Sequence, residues 1–176
     1  MAEIEKKYLL RDDTGTYVSE ILKAIYPNFE ELTDDVKNNG KPIRQGYLSI
    51  EMGINIAQEL NLNLEFEPVE ARLRDKAGKF FFTLKGDGTV ERDELEKTID
   101  QDVFNSYWPK TEGRRVEKIR LGKPFNDRTL EIDFYLDRTL TVVEVEVGSL
   151  EEAENFPTLG KDITKDRGFK NKNLAK

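Results

Sequence analysis

Charged side chains two residues apart recur along this chain, and their types are those that handle metal ions and phosphate. The first set is Glu3, Glu5 and Lys7, in the run Glu3-Ile4-Glu5-Lys6-Lys7-Tyr8-Leu9-Leu10. Arg72 and Arg74 follow, then Arg92, Glu94 and Glu96, then Lys118 and Arg120, Glu131 and Asp133, and Glu144 and Glu146, while Lys85 closes an apolar run. Side chains on a strand alternate faces with period two. Each set therefore shares one face and leaves apolar residues on the other, as in Val142-Val143-Glu144-Val145-Glu146-Val147. Carboxylates offer hard oxygen ligands to Mg²⁺, Mn²⁺ or Ca²⁺. Arginine presents a bidentate fork to phosphate and lysine a point charge.

Rows of this kind commonly face solvent on half-exposed antiparallel strands. Two features point the other way. The sets are same-sign doublets, Glu-x-Glu or Arg-x-Arg, whose members stand roughly 6.5–7 Å apart. Like charges at that distance repel by about 2.4 kcal/mol at an effective dielectric near 20. Repeating such pairs makes sense where counter-charges meet them. Acidic and basic doublets also come from different strands, so closing the sheet would set carboxylates against cations around one cavity. That is the charge distribution a metal–polyphosphate complex needs.

Composition narrows the chemistry. At 176 residues the chain is most simply one domain, residues 1–176, able to bury a full core. A net charge of -7 speaks against a duplex nucleic-acid binder, although 28 basic residues leave material for a local basic site. With neither Cys nor His, disulfides, thiolate sites, Ser–His triads and the usual zinc sites drop out. No apolar run is long enough to span a bilayer and no signal peptide is evident, so a cytoplasmic location without membrane contact is expected. Mean hydropathy is low, at -0.67, in part because charged residues sit within strands.

Strands are expected over Glu3–Leu10, Ile43–Ile50, Val69–Asp75, Lys79–Gly86, Thr89–Ile99, Gly113–Leu121, Thr129–Leu136 and Leu140–Gly148. A break at Asp12–Gly15 precedes a short helix at Thr16–Tyr26. The polar, Asn/Gly-containing stretch Pro27–Pro42 reads as a loop; in Glu51–Pro68 the alternation of Ile54-Asn55-Ile56 and Leu60-Asn61-Leu62-Asn63-Leu64 favours extended structure, although Ile56, Leu60 and Leu64 also fit a helix. Asp100 is placed to cap a helix that ends at Pro109, and Ser149-Leu150-Glu151-Glu152 has capping-box spacing. Strands in hairpin order with helices as inserts point to an antiparallel sheet or barrel.

These residues resemble a known family. Glu-x-Glu-x-Lys at the N-terminus is similar to the signature of the CYTH domain, in the triphosphate tunnel metalloenzyme superfamily. Gln45-Gly46-Tyr47-Leu48, Arg72-Leu73-Arg74, Thr83-Leu84-Lys85, Arg92-x-Glu94-x-Glu96, Lys118-Ile119-Arg120, Glu131-Ile132-Asp133 and Glu144-Val145-Glu146 follow in family order. Trp108–Lys118 and the ending Phe169–Ala175 resemble the short bacterial inorganic triphosphatases (tripolyphosphatases). The resemblance covers Glu3 to Ala175. It implies an α+β fold: a closed eight-stranded antiparallel barrel with a charged interior, peripheral helices and a C-terminal segment near one mouth.

It also implies hydrolysis of inorganic triphosphate to diphosphate and phosphate with Mg²⁺ or Mn²⁺. Glu3, Glu5, Glu144 and Glu146 would be the main metal ligands, with Glu131 and Asp133 as partners. Lys7, Arg72, Arg74, Lys85, Arg92, Lys118 and Arg120 would clamp phosphates, and Glu94 and Glu96 would orient cations or water. Without histidine, the general base must come from Glu, Lys, Tyr or metal-bound water. The family's Lys–Tyr pair maps to Lys85 and Tyr47, and a lysine surrounded by cations is expected to titrate low. Tyr47 reads equally as a core tyrosine.

The basic end, Lys161–Lys176, reads by itself as a frayed tail; the resemblance implies instead that it packs against the barrel or plugs one mouth, with Arg167 or Lys170 near phosphate. Gly168-Phe169 departs from the Arg-Tyr common there. The segment from Glu51 to Pro68 is longer than in short relatives, with no assigned role. Other readings stay open. Nucleoside or thiamine triphosphatases and class IV adenylyl cyclases share the fold; the absence of a His-Phe pair before Glu3 weighs against a cyclase. A non-catalytic polyphosphate-binding module, or a structural β domain with a solvated charged face, would use the same residues. A monomer or homodimer is expected.

Overall fold

The computed structural model describes residues 2–11, 26 and 28–176. The expected break at Asp12–Gly15 and all but the last residue of the helix expected at Thr16–Tyr26 lie outside the described residues. Among the described residues nine strands are formed: β1 (Ala2–Arg11), β2 (Lys41–Leu48), β3 (Glu70–Lys76), β4 (Lys79–Lys85), β5 (Glu91–Ile99), β6 (Arg115–Phe125), β7 (Arg128–Tyr135), β8 (Thr141–Glu146) and the short β9 (Lys161–Asp162). Hydrogen bonding orders them β5-β4-β3-β2-β6-β7-β8-β1-β9, with β5 also paired to β1. That is the strand order of a closed eight-stranded antiparallel barrel with β9 added beside β1, and the fold class is α+β as expected.

The helices are α1 (Phe29–Asn39), α2 (Ile50–Glu59), α3 (Gln101–Tyr107), α4 (Leu150–Asn155) and α5 (Asn171–Leu174), with 3₁₀ turns at Trp108–Thr111 and Arg167–Phe169. Two segments correct the sequence reading. Pro27–Pro42 is not a loop throughout: Asn28 accepts from Glu31 N at 2.9 Å and starts α1, whose Leu32 and Val36 are buried four residues apart. Glu51–Pro68 is helical in its first half rather than extended. Ser49 Oγ accepts from Met52 N at 3.2 Å, and helical spacing at Ile56 outweighs the local alternation. The expected caps at Asp100 and Ser149 form, each side chain accepting the third backbone N–H of its helix, at 2.9 and 3.0 Å.

Packing divides the chain into two compact units: residues 1–3, 43–116 and 167–176 form one, and residues 4–42 and 117–166 the other. In the first, β2 to β5 form a meander. The β3–β4 hairpin closes through Ala77 and Gly78, whose φ of 50° and 85° give the left-handed two-residue turn that matches strand twist. Alternate residues Ala71, Leu73, Phe82 and Leu84 pack with Ile56 and Ala57 of α2 and Phe104 of α3. The helices thus cover the apolar face, and the other face keeps the charged rows. Trp108 locks the turn after α3, with Arg115 and Arg44 guanidinium carbons 4.4 and 5.0 Å from its ring.

The approach of α2 to β3 depends on Gly53, where a Cβ would lie 2.5 Å from Ala71 Cβ and 2.9 Å from Leu84. Gly53→Val is therefore expected to cost about 1–3 kcal/mol by overpacking. This should appear as a lower urea midpoint with an unchanged slope; an unchanged midpoint would contradict this packing of α2.

In the second unit, β1 and β6 to β8 are joined antiparallel, with Lys7 opposite Glu144, Glu131 opposite Glu144, and Arg120 opposite Asp133. Val143, Val145, Leu130 and Ile132 are fully buried on the alternate face.

Candidate active site

The cations of the charged rows are largely withdrawn from solvent, while Glu96 and Glu146 stay exposed. Arg72, Lys85 and Arg92 are 4–8% exposed, and Lys118 and Asp133 are fully buried. Buried charges are tolerated only when paired and hydrogen-bonded, so the pairing pattern describes what each cluster can do.

In the first unit, register places Tyr47, Arg72, Thr83 and Glu96 in one row across β2 to β5, and Glu70, Lys85 and Glu94 in the next. Arg72 Nη2 lies 3.3 Å from Thr83 Oγ1 and 3.5 Å from Glu96 Oε2, and Thr83 Oγ1 donates to Glu96 at 3.0 Å. Burial works against the Arg72 charge, but Tyr47, Glu70, Glu94 and Glu96 prevail and hold its pKa above the ordinary value. Arg74 Nε donates to Gln45 at 3.3 Å, and Gln45 Nε2 donates to the Tyr47 hydroxyl at 2.6 Å. Lys85 pairs with Glu3 and, at 2.7 Å, with Glu94. The expected setting of Lys85 among cations is thus corrected: its ion pairs are with carboxylates, because register puts it between acidic residues of β3 and β5.

Arg92 Nη2 pairs with Glu70 at 3.0 Å. Among the described residues, the Nε–H groups of Arg72 and Arg92 are buried without a hydrogen-bond partner. Each such orphan donor costs about 1–3 kcal/mol. The basic tail is not frayed. Its residues 167–176 pack within the same unit: Lys170 donates to Gly88 O, Arg167 pairs with Asp87 at 2.7 Å, and Lys176 exchanges backbone bonds with Arg115 at 2.9 Å. Burial, then Arg92 and Arg167, push the Lys170 pKa down.

In the second unit, Arg120 is held by carboxylates on several sides. Its Nε and Nη2 grip Asp133 at 2.6 and 2.7 Å, Nη2 also meets Glu144 at 2.8 Å, and Nη1 pairs with Glu131. Lys118 pairs with Asp133 at 2.5 Å and Lys7 with Glu144 at 2.9 Å. Burial raises the Glu144 and Asp133 carboxyls, but the attraction of Lys7, Lys118 and Arg120 for the first, and of Arg120 and Lys118 for the second, leaves both below their ordinary values. Lys7 is lowered by burial and raised more by Glu144, Glu5 and Asp133. Thr164 Oγ1 accepts from Lys7 N at 3.0 Å and fixes that strand segment. Glu5 stands opposite Glu146, a second directly facing carboxylate pair besides Glu131 and Glu144.

Facing like charges are unfavourable without a cation between them, and carboxylate oxygens suit a hard divalent ion. Carboxylate is the donor type that Mg²⁺ or Mn²⁺ takes. Among the described residues no three acidic groups converge on one point; Arg120 and Lys7 supply the counter-charge instead.

Sequence reasoning missed Glu70, Thr83 and Thr164 as site-shaping groups. The period-two signal covered Glu70, one step before Arg72 and Arg74. Thr83 stands in the Thr83-Leu84-Lys85 motif but was given no role, and Thr164 carries no comparable signal, because an uncharged hydroxyl does not stand out in a strand.

A curated inorganic triphosphatase from Nitrosomonas europaea is 34% identical to the chain over 181 aligned positions, covering 99% of this chain and 97% of the relative. The chain belongs to the inorganic triphosphatase family. No family model matches it. A crystal structure of an inorganic triphosphatase is similar with a TM-score of 0.54 at 31% identity, covering 98% of this chain and 93% of that one. A conserved hypothetical protein from Pyrococcus furiosus, 17% identical, matches 87% of this chain and 84% of its own length with a TM-score of 0.53, which shows a shared fold.

Proposed function

We propose that the protein hydrolyses inorganic triphosphate to diphosphate and phosphate, using Mg²⁺ or Mn²⁺. The observation that carries this reading is the pair of buried, unpartnered guanidinium Nε–H groups of Arg72 and Arg92 on a buried cationic face. An acceptor-rich anion satisfies such donors; the named activity of the Nitrosomonas relative specifies triphosphate.

In this reading Arg72, Arg74, Lys85 and Arg92 bind phosphate oxygens, and Lys7, Lys118 and Arg120 add positive potential. Phosphoryl transfer rests on positioning and charge neutralisation. The cations therefore oppose the charge that builds on the transferred group and its leaving diphosphate. Glu94 and Glu96 release Lys85 and Arg72 to the substrate and orient them. Glu3, Glu5, Glu144 and Glu146, with Glu131 and Asp133, would hold the metal, which when bound neutralises phosphate charge and acidifies a water ligand. Lys85 and Tyr47 serve as the proton-handling pair. The hydrogen bond from Gln45 fixes the Tyr47 hydroxyl, and Tyr47 stands directly opposite Arg72 in the β2–β3 register.

Phosphate release tests the reading, with triphosphate, ATP and thiamine triphosphate compared in Mg²⁺, Mn²⁺ and EDTA. Turnover of triphosphate far above the other two, abolished by EDTA and by Glu5→Gln, is expected. Absence of turnover in folded protein would replace it with a polyphosphate-binding module. A Lys–Tyr pair further predicts an alkaline optimum that Tyr47→Phe abolishes; a flat profile from about pH 6 to 10 would remove Tyr47 from the chemistry.

A further inference from the structure

Glu70 has no role in the reaction described above, yet it is the most deeply buried carboxylate beside the cations of the first unit. Its side chain is 6% exposed, against 22% for Glu94 and 35% for Glu96. It shares the charged face of β3 with Arg72, two residues on, and stands directly opposite Lys85. Its Oε2 lies 3.0 Å from Arg92 Nη2. Burial raises its pKa, but Arg92, Arg72 and Lys85 outweigh burial and keep it ionised. The cation set therefore encloses a permanent internal anion, while the Arg92 Nε–H stays unsatisfied.

We propose that Glu70 is a positioning residue: it fixes the Arg92 guanidinium through an ion pair that persists when triphosphate binds, whereas the more exposed Glu94 and Glu96 yield their cations to the substrate. This rests on the triphosphatase reading. The ion pair commits one edge of Arg92 to Glu70 and leaves Nε–H for phosphate, so geometry is set before the substrate arrives. The same carboxylate weakens ground-state attraction, because it lowers the positive potential that a polyanion meets. Glu70 therefore trades binding for rate.

Two arms test this. Isothermal titration with inorganic triphosphate in EDTA measures binding without turnover, and steady-state kinetics in Mg²⁺ measures kcat. For Glu70→Gln, which keeps shape but removes the charge, Kd should fall at least threefold while kcat falls at least tenfold. A general distortion of the site would worsen both together, and that result, or a kcat within threefold of wild type, overturns the proposal. If Glu70→Gln does not fold by circular dichroism, Glu70→Asp decides: Kd within twofold of wild type with kcat at least threefold lower supports it, and wild-type kcat overturns it. If the wild-type protein itself turns over no triphosphate, the reaction reading fails, and the titration alone judges Glu70: tighter binding in Glu70→Gln supports the role, and unchanged or weaker binding overturns it.

Discussion

Asp133→Ala should unfold roughly 6–20 °C below the wild-type protein. Asp133 is fully buried and accepts from Lys118 at 2.5 Å and from Arg120 at 2.6 and 2.7 Å. Removing it strands two buried cations. Breaking a buried pair by deleting one partner costs about 3–5 kcal/mol, and in a chain of this size each kcal/mol shifts the melting temperature by about 2–4 °C. The pH dependence has a definite sign. Asp133 and Glu144 both titrate below their ordinary values, 3.8 and 4.5, in the folded protein. Their contribution is therefore fully present above those values and is lost as pH falls through the lower folded ones. Thermal melts should be steady near neutrality and fall steeply below about pH 4, and Asp133→Asn should flatten part of that fall. Melting within 2 °C of wild type for Asp133→Ala would contradict the buried network.

Arg72→Ala should lower kcat/KM for inorganic triphosphate by about a thousandfold, the lower end of what a transition-state arginine contributes in phosphoryl transfer. The guanidinium is buried in the row formed with Tyr47, Thr83 and Glu96, with its Nε–H unsatisfied. Arg72→Lys should recover only part of the loss, since an ammonium lacks the fork that serves Thr83, Glu96 and a phosphate at once. Steady-state kinetics of both variants, with circular dichroism to establish the fold, makes the comparison. Full recovery by lysine would reduce Arg72 to a point charge.

Much of this was legible in the sequence because period two fixes the face of a strand residue. The sets from Glu3 to Glu146 fall on strands as expected, and the caps at Asp100 and Ser149 form from local hydrogen-bond geometry alone. One helix was not legible, and a second was legible only as the less favoured alternative. In α1 a polar surface hides Leu32 and Val36, the narrow apolar stripe that packs. In α2 the run Ile54-Asn55-Ile56 imitates a strand until Gly53 brings the helix against Ala71. Partner choice was also hidden. Face does not specify register, and register decides that Lys85 meets Glu94, and that Arg120 spends its fork on Asp133, Glu144 and Glu131. Burial likewise separates Glu70 from the more exposed Glu96, a difference that spacing cannot encode.

In the proposed function the buried cationic face serves triphosphate hydrolysis. Its most direct test is ³¹P NMR of inorganic triphosphate mixed with the protein and Mg²⁺. The triphosphate signals should decay as diphosphate and orthophosphate grow in equal amounts, with no change when EDTA replaces Mg²⁺. Triphosphate that persists unchanged in the presence of folded protein and either Mg²⁺ or Mn²⁺ would contradict the account.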